Sequence, residues 1–299
     1  MTIINPNAAE MTADHSCETA HCTTGFATLL QGYLQGKCDH DFPAMRRYLH
    51  PVTVTFGDAV GGWVHRTPAE LDAAWGAQVP AWPVGARFYT TRVIGGDSGG
   101  AVFVVDTAEM IGTEVRGIAV VDLQDGAIAR WIDYWDSRPL GPERAAAVRT
   151  GPLPDELGEH TLAPRKPGRI HAISAALHDA LCAADADRAG ALFTPDAVLA
   201  DLTLHSSVRG RAAIIAYLHR ALPSLPYGAG AVLRHAVGGD LGGAYEWRCD
   251  GPAMVGVNAL ELDATGAISY FAAAWDGGLL DDVALVELAG LSIEPWRHS

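Results

Sequence analysis

The sequence predicts an α+β fold built twice: two tandem cone-shaped domains, each a curved antiparallel sheet packed on N-terminal helices. Three observations predict it. The length, 299 residues, gives room for two ordinary domains that each bury a core. The chain also repeats itself. A shift of 144 sets Cys38 over Cys182, Asp41 over Asp185, Pro51 over Pro195, Val54 over Val198 and Val64 over Val208. A shift of 140 then sets Ala119 over Ala259, Gly126-Ala127-Ile128 over Gly266-Ala267-Ile268 and Trp135-Asp136 over Trp275-Asp276. Finally, in each copy helical periodicity comes first and strand-like runs follow, the order of an α+β layer fold.

The elements follow in order. Ile173, Leu177, Leu181 and Ala184 keep helical spacing, and a short second helix ends before Thr-Pro. A short strand comes next (52–56 and 197–201), then a helix (68–75 and 211–222). In the first copy, 102–106, 115–123 and 128–135 are β-branched and aromatic, with Gln124-Asp125-Gly126 marking the last hairpin. The four residues missing from the second copy are expected in the glycine-rich turn, Gly95 to Gly100 against Gly238 to Gly243. The predicted organisation is a tail over 1–24, domains over 25–140 and 169–286, a tail over 287–299, and between the domains a Pro-rich segment, 141–168, that suits an extended linker.

Composition narrows the function. Hydrophobic residues make up 49% and charged residues 19%, the balance of a folded protein. A net charge of -14 with no basic stripe argues against nucleic acid and anionic membrane as partners. No apolar run is long enough to span a bilayer and the N-terminus does not read as a secretory signal, so a cytoplasmic setting is expected. Five cysteines in such a setting do not make a disulfide framework. His15, Cys17, His21 and Cys22 match no common zinc spacing, and no metal is expected there. Phosphate-binding loops, dinucleotide fingerprints and nucleophile elbows are missing, so no cofactor is expected.

One stretch carries chemistry by itself. Strand alternation over 128–136 puts Trp131, Asp133 and Trp135 on one face, opposite Ile132, Tyr134 and Asp136. A carboxylate between two indoles is desolvated, which raises its pKa towards neutrality, where it can give or take a proton.

Leu192-Phe-Thr-Pro-Asp-Ala-Val-Leu-Ala-Asp201, followed by Val208-Arg-Gly-Arg-Ala-Ala-Ile214, resembles the family of nuclear transport factor 2, ketosteroid isomerase and the SnoaL polyketide cyclases. The resemblance implies a general base at Asp201. It implies an oxyanion donor seventeen residues before Trp275, at Asn258, whose amide can donate without a raised pKa. The isomerase tyrosine falls on Leu177. In the first copy the same positions are Tyr33 for the tyrosine, Gly57 with Asp58 beside it for the base, and Ile118 for the donor. The stretch 128–136 is similar to the last strand of SnoaL cyclases and of limonene epoxide hydrolase, which implies an acid–base role for Asp133. Asp106 is the candidate second acid; the hydrolase's arginine falls on Val104, leaving Arg92 or Arg116 to reach in. Ala273 stands opposite Asp133 in the second copy, so the two pockets are expected to differ.

Tyr33, Trp131, Trp135, Tyr245, Trp247, Phe271 and Trp275 are expected to line the pockets. The layout is also similar to two-domain polyether epoxide hydrolase/cyclases. The implied function is a cofactor-free isomerase or cyclase for a hydrophobic polyketide- or terpenoid-like intermediate, closing a ring by epoxide opening or an aldol-type step. The alternative is a non-catalytic small-molecule binding or scaffold protein. The expected partner is thus a hydrophobic small molecule, and the sheets should pack together as a pseudo-dimer within a monomer, or in a homodimer.

Overall fold

The computed structural model describes residues 17–163, 165, 167–251 and 254–294. The first half runs α1 (Thr24–Cys38), α2 (Phe42–Arg46), β1 (Thr55–Asp58), β2 (Trp63–His65), α3 (Pro68–Gln78), β3 (Phe88–Gly96), β4 (Gly99–Asp106), α4 (Ala108–Ile111), β5 (Val115–Gln124) and β6 (Ala127–Trp135), and α5 (Pro142–Val148) follows. The second half runs α6 (Arg169–Cys182), α7 (Ala186–Gly190), β7 (Phe193–Asp201), β8 (Ser206–Arg209), α8 (Arg211–Ala221), β9 (Val232–Gly239), β10 (Gly242–Arg248), β11 (Val255–Leu262), β12 (Ile268–Trp275) and α9 (Asp282–Gly290). The two six-stranded sheets share one topology, β2-β1-β6-β5-β4-β3 and β8-β7-β12-β11-β10-β9. Each is antiparallel except where β1 lies parallel to β6 and β7 to β12.

The repeat reaches into local chemistry. Asp41 and Asp185 each cap a short helix by accepting a backbone N–H three residues on. The residues before them, His40 and Ala184, share a left-handed backbone with φ of 54° and 53°. The glycine turns have equal length in both halves, and in each the residue after the turn must be glycine, since a Cβ would meet Val121 O at 1.9 Å at Gly99 and Leu260 O at 2.1 Å at Gly242. The four residues lost from the second half therefore lie elsewhere, between β4 and β5, where the first half inserts α4. Two smaller slips, before β1 and in the β5–β6 turn, shift the other equivalences by one.

Helices cover one face of each sheet, burying Phe26, Leu30, Leu71 and Trp75 against the first and Ile170, Leu177, Ile214 and Leu218 against the second. The remaining faces pack on each other through Ile94, Ile118, Val120 and Ile132 from one sheet and Val237, Val257, Ala259 and Ala272 from the other. Polar pairs cross this seam in pseudo-two-fold positions. Asp122 on β5 meets His235 on β9 at 2.9 Å, and its counterpart Glu261 on β11 meets Arg92 on β3. Residues 141–168 do more than link. They form α5, whose Ala145 packs on Trp135 and Leu140, and they bury Leu157 between the sheets, where its carbonyl accepts from Arg130 Nε at 2.7 Å. Residues 17–23 lie beside β3, with Glu18 bridged to Arg92 and Cys22 to Gly95; the earlier part of the expected tail, with His15, lies outside the described residues. Among the described residues no helix is long and apolar enough to cross a membrane, and no cluster of three or more His, Cys, Asp or Glu could hold a metal ion.

Candidate functional site

The first cone holds a cavity of about 240 Å³. Its walls are apolar on the side of Val104, Met110, Ile111, Val115 and Val148, two of them supplied by the inserted α4. Its floor carries Asp58, Asp106, Asp133 and Lys37. Strand alternation places Asp133 as expected, on the cavity side of β6, while Ile132 and Tyr134 turn into the seam between the sheets.

Asp58 ends β1 directly opposite Asp133 in the parallel pair, on strands about 4.8 Å apart. Each carboxylate takes an indole N–H: Trp131 Nε1 donates to Asp133 Oδ1 at 2.8 Å, and Trp135 Nε1 donates to Asp58 at 2.9 Å. Asp58 also accepts the backbone N–H groups of Val60 and Gly61 at 2.8 and 2.7 Å. Burial pushes Asp133 up to about 7; the negative charges of Asp58 and Asp106 add to this, while Lys37 and the Trp131 hydrogen bond oppose it. Burial also raises Asp58, against its hydrogen bonds.

Asp106, at the end of β4, has its shielded Oδ1 without a hydrogen-bond partner, 3.6 Å from Lys37 Nζ. Lys37 lies 4.2 Å over the Phe88 ring, its side chain only 14% exposed. Tyr33, one helical turn before Lys37, is fully buried with its ring centroid 5.1 Å from that of Trp131, and its hydroxyl has no hydrogen-bond partner. Neither arginine considered above reaches this floor, since Arg92 pairs with Glu261 across the seam and Arg116 pairs with Glu114 in solvent.

The base position of the first half needs correction. Register puts Asp58, not Gly57, in the place of Asp201: Asp201 stands opposite Ala273 as Asp58 stands opposite Asp133. The partners agree, because Asp201 accepts Trp275 Nε1 at 3.2 Å and the N–H of Leu204 three residues on at 2.9 Å. The donor position moves likewise. Ile118 faces the seam, and the counterpart of Asn258 is Ala119.

The second cone is filled by its own side chains. Tyr217, Tyr227, Tyr245, Trp247, Phe271 and Trp275 are all at most 1% exposed, so the residues expected to line a pocket here form a packed interior. Asp201 is buried among them and also accepts Tyr227 Oη–H at 3.2 Å. Burial raises it to about 6, against these hydrogen bonds. Asn258 Nδ2 donates one of its two N–H bonds to Tyr245 Oη at 2.7 Å. Buried Asn258 Oδ1 and Trp247 Nε1 have no hydrogen-bond partner, while the Tyr217 and Tyr227 hydroxyls interact with each other.

Sequence reasoning missed the roles of Asp58 and Lys37. The helical spacing of Tyr33 and Lys37 was the available signal for the lysine, and the shared indole donors Trp135 and Trp275 were the signal for Asp58.

Comparison with known proteins bears on the second half first, where residues 175–277 match the SnoaL-like domain family. No curated protein matches the chain. Solved structures similar to it include a steroid delta-isomerase from Pseudomonas aeruginosa, at 19% identity over 43% of this chain and 93% of that one with a TM-score of 0.35. A SnoaL-like protein of unknown function from Burkholderia thailandensis matches at 16% identity, 38% and 100% coverage and a TM-score of 0.33. An uncharacterized cystatin-like fold protein from Silicibacter pomeroyi matches at 19% identity, 41% and 84% coverage and a TM-score of 0.34.

Proposed function

We propose, from the premise that residues 175–277 form a SnoaL-like domain, that the chain is a cofactor-independent acid–base isomerase or cyclase whose chemistry resides in the first cone. Its substrate is a hydrophobic polyketide- or terpenoid-like intermediate, met in a cytoplasmic setting. The observation that carries this reading is the convergence of Asp58, Asp133 and Asp106 on one largely apolar cavity, with Asp133 poised at about 7.

Epoxide opening suits the floor. Asp133, protonated below neutrality, gives its proton to the epoxide oxygen as the ring C–O bond breaks. Asp106, whose Oδ1 has no hydrogen-bond partner, takes the proton of the attacking hydroxyl as the new C–O bond forms. One proton leaves the protein and one returns. Asp58, held by Trp135 and two backbone N–H groups, keeps a second carboxylate beside Asp133 and so favours its protonated form.

A second reading concerns the second cone. Its interior is filled by its own side chains and holds the unpartnered Asn258 Oδ1 and Trp247 Nε1 within that packing, which makes this cone a structural partner of the first and Asp201 a structural acceptor. The experiment incubates the purified chain with hydroxy-epoxides of graded size and with an enolisable diketone, following products by mass spectrometry. Cyclic ether or diol formed by the wild type and lost in Asp133→Asn is expected. Equal turnover by Asp133→Asn overturns the assignment.

A further inference from the structure

We propose that Lys37 is a positioning residue that, with Asp106, sets the proton affinity of Asp133 in the first cone. The inference deepens the acid–base reading above and rests on it. Its ground is a comparison the molecule makes with itself. In the second half the positions of Tyr33, Lys37, Asp106 and Asp133 are held by Leu177, Leu181, Cys249 and Ala273. Four polar groups on three different elements have apolar or weakly polar counterparts, and the fold is the same. The cone therefore builds without them. Asp58 and Trp135, by contrast, have like counterparts in Asp201 and Trp275.

Geometry says what the set does. Lys37 is almost enclosed, fixed by Phe88 on one side and by Asp106 on the other, and lines the same cavity as Asp133. An ammonium held in a desolvated site acts strongly on nearby carboxylates, because little water screens it. The groups facing Asp133 are Asp58 from β1, Asp106 from β4, Lys37 and the Tyr33 hydroxyl from α1, and the Trp131 indole from its own strand. The cavity residues supplied by β5, α4 and α5 (Val115, Gly117, Met110, Ile111 and Val148) carry no charge. Two carboxylates push the proton on to Asp133, and Lys37 is the cation that opposes them. It keeps the acid able to give its proton up to the substrate near neutrality.

The test reads Asp133 directly, without substrate. Carboxyl-¹³C aspartate is incorporated, the Asp133 resonance is assigned by its disappearance in Asp133→Asn, and its midpoint is followed with pH. Lys37→Met is expected to move the midpoint up by about one unit or more, a tenfold tighter proton, and Asp106→Asn to move it down. Lys37→Arg keeps the charge and should stay within about 0.3 unit of wild type. Lys37→Leu, the residue at the equivalent place in the second half, supplies a folded charge-free variant should methionine not pack. A midpoint unchanged by removing the charge, or moved in the same direction by Lys37→Met and Asp106→Asn, overturns the role of Lys37 alone. An Asp133 resonance that does not titrate between about pH 5 and 9 overturns it together with the acid–base reading.

Discussion

Arg130 on β6 and Glu246 on β10 form an ion pair of 2.7 Å buried between the sheets, and at the pseudo-two-fold equivalent place the contact is between Tyr270 and Phe103, ring centroids 6.3 Å apart. One side of the seam is ionic where the other is aromatic. Arg130 also reaches Asp122 at 3.3 Å, and Tyr134 donates to Glu246 at 2.6 Å, so the ions sit in a network rather than alone.

Removing one ion should cost far more than removing both. Arg130→Met strands Glu246 in the seam, leaves Asp122 with His235 alone, and is expected to lower stability by about 3–5 kcal/mol in urea unfolding. Combining Arg130→Tyr with Glu246→Phe, which copies the aromatic contact of the other side, should recover more than half of that loss. A double variant as unstable as Arg130→Met would show that the seam needs the charges themselves.

Turnover should separate the two cones. Asp133→Asn is expected to lower the rate by about two to four orders of magnitude, the usual cost of losing a general acid. Asp201→Asn should leave the rate within about fivefold, while costing about 1–3 kcal/mol of stability because its amide cannot accept from Trp275, Tyr227 and Leu204 together. Steady-state kinetics and thermal melts on the same preparations check both.

The pH dependence has a definite sign. Asp133 and Asp201 hold their protons to about 7 and about 6 when folded, above the ordinary value of 3.8. Between those limits the folded chain binds more protons than the unfolded one, so these two groups make stability fall as pH rises from about 4 to about 7. Asp133→Asn removes one of them and should gain about 2 kcal/mol at pH 8 relative to its effect at pH 4, a figure reduced because the cavity admits water. The rate should fall above neutrality, where the acid has lost its proton.

Tyr33→Phe should stabilise the chain by about 1 kcal/mol, because the hydroxyl is buried without a hydrogen-bond partner. If that hydroxyl meets the substrate oxygen, the same variant raises KM. A melting temperature that falls instead would mean the hydroxyl already has a structural partner.

Much of this could be read from the residues. The shared face of Trp131, Asp133 and Trp135 follows from strand alternation, and Asp133 and Trp135 line the cavity with Asp106, while Trp131 and Tyr33 pack behind it in the core instead of lining it. Asp58 was displaced by one residue, because a gapless comparison cannot see a slip before β1; only the pairing with Asp133 fixes its place. Lys37 reads in sequence as one more solvated helix cation, and its enclosure depends on Phe88 arriving from a distant strand. Asn258 faces inward as expected, but the hydroxyl to which it donates is on a neighbouring strand whose register the sequence does not reveal. Arg130 and Glu246 look like solvent-facing residues until a second sheet covers them.

That covering has a further consequence for how the halves recognise each other. Were the first half to pair with a copy of itself, the pseudo-two-fold would set Arg130 against Phe103 in place of Glu246 and leave it only the Asp122 carboxylate of its own half. Were the second half to do so, Glu246 would meet Tyr270, and Glu261 would meet His235 in place of Arg92. At Arg130 and Glu246 each half thus completes a contact that its sibling supplies and a copy of itself does not. The segment that joins them keeps at hand the partner that completes the Arg130–Glu246 pair, and two proteins made by cutting the chain there would have to find each other to form it.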